Sequence, residues 1–293
     1  MLRIGMIGAD NFHALAFSRL ANLPPEEGGS GLPARVTMLW GESADRAAFV
    51  AGEARIPTVV SDPCEMLGRV DAVMVVLRHG GQHYAAALPF VQRGTAVWVD
   101  KPFTIDMAQA RALVAAAQRH GALLAGGSAC KYCPDVLQLQ KDYRRLRRES
   151  RVLSAGLNFP GELDSPYGGL YYYGGHTAEI LTTVFGPDLR SIKADVTAGN
   201  VIAVFKYADL AVCVNFAEVS RFYGTLYSPQ QVVVRPIDIT GIYRPAFQAF
   251  VQGVLQGVPP EPVSSLLHPV RILNALVEAA ATGREVPVPA ASD

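Results

Sequence analysis

Through residue 126, short unbroken apolar runs alternate with segments of helical period, and few folds accept that alternation. An apolar run without polar alternation needs cover on both faces, which a parallel sheet flanked by helices provides. Such runs occupy residues 2–7, 35–40, 57–60, 71–77, 96–99 and 123–125. Between them Ala14, Leu15, Phe17, Leu20 and Leu23 keep a helical spacing until Pro24 and Pro25, and the same period recurs over residues 44–54, 83–92 and 107–120. Asp62-Pro63 with Glu65 marks a compact helix start, and Asp106 with Gln109 makes a capping-box pattern for a helix that Gly121 can end. Short links favour right-handed crossovers, so the expected class is α/β, with an N-terminal doubly wound parallel sheet over residues 1–126.

Beyond that point the texture changes. Cys133-Pro134 opens a helix to about residue 149, whose basic second half, residues 141–148, reads as a solvated face because no aromatics interleave it. The strands become longer and alternating, over residues 152–159, 191–197, 201–206, 210–216 and 231–234, and Tyr207-Ala208-Asp209 is short enough for a hairpin. Residues 127–293 are therefore expected to form a C-terminal α+β domain of mostly antiparallel sheet, closed by helices at 245–256 and 268–282. Val212, Val214 and Phe216 share one face of their strand, and Ala211, Cys213 and Asn215 the other. Neither face is charged, and Val232 to Val234 repeat the pattern. One face should cover helices; the other, with Val212 and Val214 read on it, would need a second copy of the chain, giving a homodimer or homotetramer.

Half of the 293 residues are hydrophobic, and Lys plus Arg balance Asp plus Glu at 26 each. No global field attracts nucleic acid or an anionic membrane, so the expected partner is a small neutral or mixed-charge ligand. The start runs directly into a strand pattern without a signal-peptide pattern, and no apolar stretch reaches spanning length, so a cytoplasmic protein is expected. Of four cysteines only Cys130 and Cys133 have CxxC spacing, and neither Cys64 nor Cys213 supplies a second pair, so no metal is expected.

Three stretches carry chemistry. Asp100-Lys101-Pro102 follows the run Ala96 to Val99, where ligands meet an open α/β sheet at the carboxyl ends of its strands. Spacing alone equally allows a surface lysine paired with its neighbour. The turn after the first strand, Gly8-Ala9-Asp10-Asn11-Phe12-His13, keeps one glycine of a dinucleotide fingerprint; Asp10 can cap the helix and occupy amides that a phosphate would use. After the second strand Gly41 takes the register of the ribose-binding acid and Glu42 stands beside it. Finally, residues 168–179 read as a glycine-rich loop entering a helix, with His176 and Glu179 one turn apart. His176 suits proton transfer near neutrality, or equally a hydrogen-bonded histidine at a helix start among packing tyrosines.

Taken in order, several motifs resemble the Gfo/Idh/MocA family, the glucose-fructose oxidoreductase and inositol dehydrogenase type. They are Arg3-Ile4-Gly5-Met6-Ile7-Gly8, Asp100-Lys101-Pro102 for the family's Glu-Lys-Pro, His83 opening its helix, Lys131-Tyr132-Cys133-Pro134, and Gly174-Gly175-His176-Thr177-Ala178-Glu179. The resemblance implies a Rossmann domain binding NAD or NADP, then an α+β domain that carries the substrate site and an oligomer interface. It implies Lys101 and His176 as the catalytic pair and a sugar, cyclitol or related polyol as substrate. Gly8, Ala9, Asp10, Asn11, Phe12, Glu42, Arg78, His79, His83, Asp100 and Lys101 would line the cofactor side, and Lys131, Tyr172, His176 and Glu179 the substrate side. Glu42 aimed at the ribose would select NAD, whereas Ser43 and Arg46 would select NADP; NAD is preferred. Tyr172 replaces the family's usual acid four residues before the histidine, and Arg78-His79-Gly80 replaces its Thr-Pro-Asn turn. With the degenerate glycine turn, these departures motivate the alternative, a ligand-binding or interaction protein of the same fold without dehydrogenase activity.

Overall fold

The computed structural model describes residues 1–217, 219 and 221–289. The first part alternates β1 (Leu2–Ile7), α1 (Phe12–Asn22), β2 (Ala34–Trp40), α2 (Ala44–Glu53), β3 (Thr58–Val59), β4 (Ala72–Val75), α3 (His83–Val91), β5 (Ala96–Val99), α4 (Met107–His120) and β6 (Leu124–Gly126). All six strands pair in parallel, in the order β3-β2-β1-β4-β5-β6. This is the Rossmann order, and its progression reverses between β1 and β4, where a crevice opens at the carboxyl ends. The apolar runs explain the strands: every residue of β4 and β5 is buried. Helices α1 and α2 begin at side-chain caps, Asn11 accepting from the His13 N–H at 3.2 Å and Ser43 from the Arg46 N–H at 3.2 Å. A full capping box forms at Asp62 and Glu65. At α4 only half forms: Asp106 accepts from the amides of Ala108 and Gln109, while Gln109 Oε1 is buried without a partner.

The chain continues through α5 (Pro134–Glu149), β7 (Ser154–Phe159), α6 (Leu170–Phe185), β8 (Ser191–Thr197), β9 (Asn200–Lys206), β10 (Ala211–Phe216), β11 (Phe222–Tyr227), β12 (Val232–Ile237), α7 (Tyr243–Gln256), α8 (Leu267–Thr282) and β13 (Val286–Pro287). The second sheet runs β12-β11-β7-β10-β9-β8-β13, and only β7 and β10 pair in parallel. Tyr207 to Leu210 closes the β9–β10 hairpin. Sequence reading misses two strands, the two-residue β13 and β11, the latter because Gly224 and the aromatic cluster around it mask the alternation.

Two compact units result. The first takes Met1–Gly127 and, in addition, Gly241–Leu266; the second takes Ser128–Thr240 and Leu267–Asp293. The late return to the first unit is driven by aromatic burial: Phe17 meets Tyr243 edge-on at 5.4 Å, and Trp98 meets Phe250 at 5.8 Å. Such pairs contribute about 0.5–1.5 kcal/mol each beyond the area they bury.

The face assignment of β10 needs correction. Val212, Val214 and Phe216 are fully buried, and Ala211, Cys213 and Asn215 are the exposed set. On the open face they are joined by Ile202 (52% exposed), Val232 (57%) and Val234 (55%). Alternation separates two faces, but with neither face charged it does not say which one is buried. Among the described residues no helix is long and apolar enough to cross a membrane, and no group of three or more His, Cys, Asp or Glu side chains is arranged to hold a metal.

Candidate functional site

In the first unit the β1–α1 turn is shaped by close backbone approach. Gly8 has φ +115°, and a Cβ there would lie 2.8 Å from the Leu77 backbone nitrogen. Ala9 is buried against Gly41, where a Cβ would come within 2.5 Å of the Ala9 Cβ. Asn11, not Asp10, caps α1, which corrects the first of the two roles read for Asp10. With its Oδ1 engaged, Asn11 keeps Nδ2 buried and without a partner, an orphan donor at a helix N-terminus. That combination fits an anionic pyrophosphate, so the turn can receive a dinucleotide despite having lost two fingerprint glycines. Asp10 instead crosses to the loop after β2, its Oδ2 accepting from the N–H groups of Glu42 (2.8 Å) and Ser43 (3.4 Å). Glu42 accepts from Gln82 Nε2 at 3.1 Å; Arg46 donates from Nε to the Ala9 carbonyl at 3.3 Å and lies over the Phe49 ring. Phe12 is largely exposed and edge-on to Tyr243.

At the end of β5, Asp100 and Lys101 are 1% and 2% exposed, which removes the surface-pair alternative for this lysine. His13 from α1 donates through Nδ1 to Asp100 Oδ2 at 2.7 Å. Burial pushes the Asp100 pKa up, but His13, Lys101 and His83 outweigh it and hold the carboxyl below its ordinary range. His83 is fully buried, with Nδ1 2.7 Å from the Pro102 carbonyl and Nε2 2.9 Å from the Leu77 carbonyl. Burial holds its pKa below the usual histidine value against the opposing pull of those carbonyls and of Asp100. His83 thereby ties the loop after β4 to the Lys101-Pro102 turn, whose peptide bond is cis. Arg78 and His79 occupy that same loop, where His79 Nδ1 accepts from the Gly81 N–H at 3.0 Å.

The second unit contains a cavity of about 760 Å³ whose wall includes His176, Tyr173, Glu162, Asp164, Asn200 and Phe222. Sequence reading points to Tyr172; the wall is formed by Tyr173, and Tyr172 packs between Tyr167 and Tyr173. Behind His176 lies a buried polar chain. Ser128 Oγ is 2.7 Å from His176 Nδ1 and accepts from the Cys130 N–H at 3.0 Å; the Ser128 N–H donates to Glu179 Oε2 at 2.9 Å. Glu179 Oε1 meets Lys131 Nζ at 3.1 Å, both side chains 7% exposed. Cys130 Sγ also approaches His176 Nδ1, at 3.4 Å. With one hydroxyl lone pair taken by the Cys130 amide, Ser128 Oγ keeps a second lone pair that accepts from His176 Nδ1–H, the tautomer that leaves the Nε2 lone pair free. Lys131 and Glu179 thus support the histidine from behind rather than forming the cavity wall. Ser128 escapes sequence reading, although a polar residue two positions beyond the last parallel strand is where the crevice rule points.

Residues 2–128 match the model of the GFO_IDH_MocA oxidoreductase family, an NAD-binding Rossmann fold. Over that stretch, which is less than half of the chain, the protein is similar to the Gfo/Idh/MocA oxidoreductase family. A relative, UDP-N-acetylglucosamine 3-dehydrogenase of Acidithiobacillus ferrooxidans, is 31% identical over 143 residues, which is 48% of this chain but only 41% of that protein. Solved structures share the fold over almost the whole length. GenD2 from gentamicin A biosynthesis, in complex with NAD, superposes with a TM-score of 0.82 at 18% identity, covering 99% of this chain and 97% of that one. The apo scyllo-inositol dehydrogenase of Lactobacillus casei gives 0.81 at 13% identity, with 98% of each chain covered. Levoglucosan dehydrogenase bound to NADH and L-sorbose gives 0.79 at 15% identity, with both chains fully covered. Within the matched stretch, Asp100-Lys101-Pro102 resembles that family's Glu-Lys-Pro, and both Asp100 and Lys101 are buried.

Proposed function

We propose that the protein is an NAD(P)-dependent dehydrogenase of a sugar, cyclitol or related polyol. The observation that carries the reading is the buried Asp100-Lys101 pair, held by His13 and His83 at the carboxyl end of β5 in a stretch that matches an NAD-binding oxidoreductase family. When bound, the nicotinamide accepts or delivers the hydride. The first unit holds the dinucleotide, with Asn11 Nδ2 and the α1 N-terminus toward its pyrophosphate, and Lys101 supplies a cation that polarises the reacting oxygen. The second unit binds the polyol, and His176 moves its hydroxyl proton. In oxidation Nδ1–H donates to Ser128 Oγ and leaves the Nε2 lone pair to take that proton; in reduction the doubly protonated ring returns it from Nε2 while Nδ1–H stays on Ser128 Oγ. Two carboxylates, Glu162 and Asp164, with neither lysine nor arginine among the described residues of the cavity wall, support a neutral or amino-bearing polyol over a phosphorylated one. The open face of the second sheet supports a homodimer or homotetramer.

Thermal unfolding with and without NADH or NADPH tests the nucleotide part: saturation at 100 times the dissociation constant should add about 2.7 kcal/mol. A polyol panel then tests turnover, which Lys101→Met should abolish without abolishing nucleotide stabilisation. Absence of a shift with either dinucleotide would favour a binding protein of this fold that has lost the chemistry; full turnover by Lys101→Met would refute the role given to the lysine.

A further inference from the structure

In a dinucleotide fold the adenosine ribose is gripped at the end of the second strand, where an acid receives the ribose hydroxyls or a cation receives a 2′-phosphate. Here the usual position for that acid is closed to any side chain. Gly41 follows β2 directly, and a Cβ there would fall 2.5 Å from the Ala9 Cβ. The same close approach carries the β1–α1 turn against the loop after β2 and delivers a carboxylate from the opposite side. Asp10 Oδ2 accepts from the backbone N–H groups of Glu42 at 2.8 Å and Ser43 at 3.4 Å. The other two charged candidates are engaged elsewhere: Glu42 receives Gln82 Nε2, and Arg46 Nε is spent on the Ala9 carbonyl with its guanidinium 4.9 Å over Phe49.

Resting on the dinucleotide reading above, we propose that Asp10 is the ribose-binding acid of this protein and the residue that excludes NADP. Its second oxygen, Oδ1, is the acceptor offered to a ribose hydroxyl. Its Oδ2 occupies the two amides that a 2′-phosphate would otherwise recruit, and its charge repels that phosphate. Selectivity thus comes from the β1–α1 turn, and Glu42 is a bystander anchored to Gln82.

Direct binding titrations following nicotinamide fluorescence of NADH and NADPH, with no substrate present, test this. The natural protein should bind NADH at least tenfold more tightly than NADPH. Asp10→Asn keeps an oxygen for the two loop amides and so keeps the turn, but it removes the charge; it should cut the preference at least tenfold, chiefly by tightening NADPH. Glu42→Ala should leave the ratio within about threefold. An unchanged ratio in Asp10→Asn, a larger change in Glu42→Ala, or an initial preference for NADPH would overturn the assignment. Binding of neither dinucleotide by the natural protein would instead refute the nicotinamide reading itself, and the role of Asp10 with it.

Discussion

Replacing Lys131 by methionine removes the cation that Glu179 Oε1 meets at 3.1 Å, in a place where both side chains are only 7% exposed. Methionine fills much of the stem volume, so the cost is chiefly electrostatic. Exposed pairs are worth about 0–1 kcal/mol, whereas breaking a buried pair costs about 3–5 kcal/mol because the surviving charge stays desolvated. The residual exposure and the Ser128 N–H on Glu179 Oε2 put this pair at the lower end, about 3 kcal/mol. That corresponds to a fall in Tm on the order of 10 °C. Glu179→Gln should cost a similar amount, and the double variant should cost only about 1 kcal/mol or less rather than the additive total of about 6, since no uncompensated charge remains. Urea unfolding of all four proteins reads the coupling. Activity separates two roles for Lys131. If it acts only by neutralising Glu179, turnover should recover in the double variant, where the introduced glutamine side chain still offers an oxygen to the Ser128 amide. Turnover that stays lost while stability returns would mean that Lys131 touches substrate. A loss under about 1 kcal/mol in the single variants, or additive costs, would refute the buried-pair argument.

Three other outcomes follow from the same geometry. Ser128→Ala removes the partner of His176 Nδ1 and should lower kcat at least tenfold with little change in KM, while Ser128→Thr restores it; an unaltered pH profile of kcat in the alanine variant would dismiss the tautomer role. Asp100 has a folded pKa below its ordinary 3.8, so its contribution to stability is complete above that value and is lost as pH falls through the lower folded one; Asp100→Asn should flatten the acid limb of a stability–pH curve, and an identical limb would contradict the pairing with His13. On the open face, Val234→Lys should shift light scattering toward the 31.4 kDa monomer without unfolding the chain, whereas Val212→Lys places a charge in a fully buried position and should unfold it; a natural protein that is monomeric at low micromolar concentration would refute the assembly.

What the chain reveals locally and what it hides divides along sequence separation. Continuous apolar runs such as Ala96 to Val99 specify two-sided burial by themselves, and caps such as Ser43 and Asp106 act within three residues, so the Rossmann unit is legible element by element. Period-two alternation in β10 separates Val212 from Cys213 with equal clarity, yet which side is covered is decided by tertiary packing, which no residue of the strand encodes. The site is harder still, because its decisive bonds span 32 residues from Asp10 to Glu42, 87 from His13 to Asp100 and 48 from Ser128 to His176. Motif order brings out Lys101 and His176 because their chemistry sits in short runs. It cannot bring out Ser128, an ordinary serine until folding sets it beside α6, nor show that Asp10 leaves the helix to Asn11 and turns to the next loop. The physical reason is the same in each case. A short-range cap competes only with water, but a buried polar group must find its partner wherever the packed core puts one, so the identity of that partner is a property of the packing. Degenerate motifs are therefore weak grounds for denying a site: the function lost at Gly41 is one that a neighbouring turn, brought within van der Waals reach by that same glycine, is placed to supply.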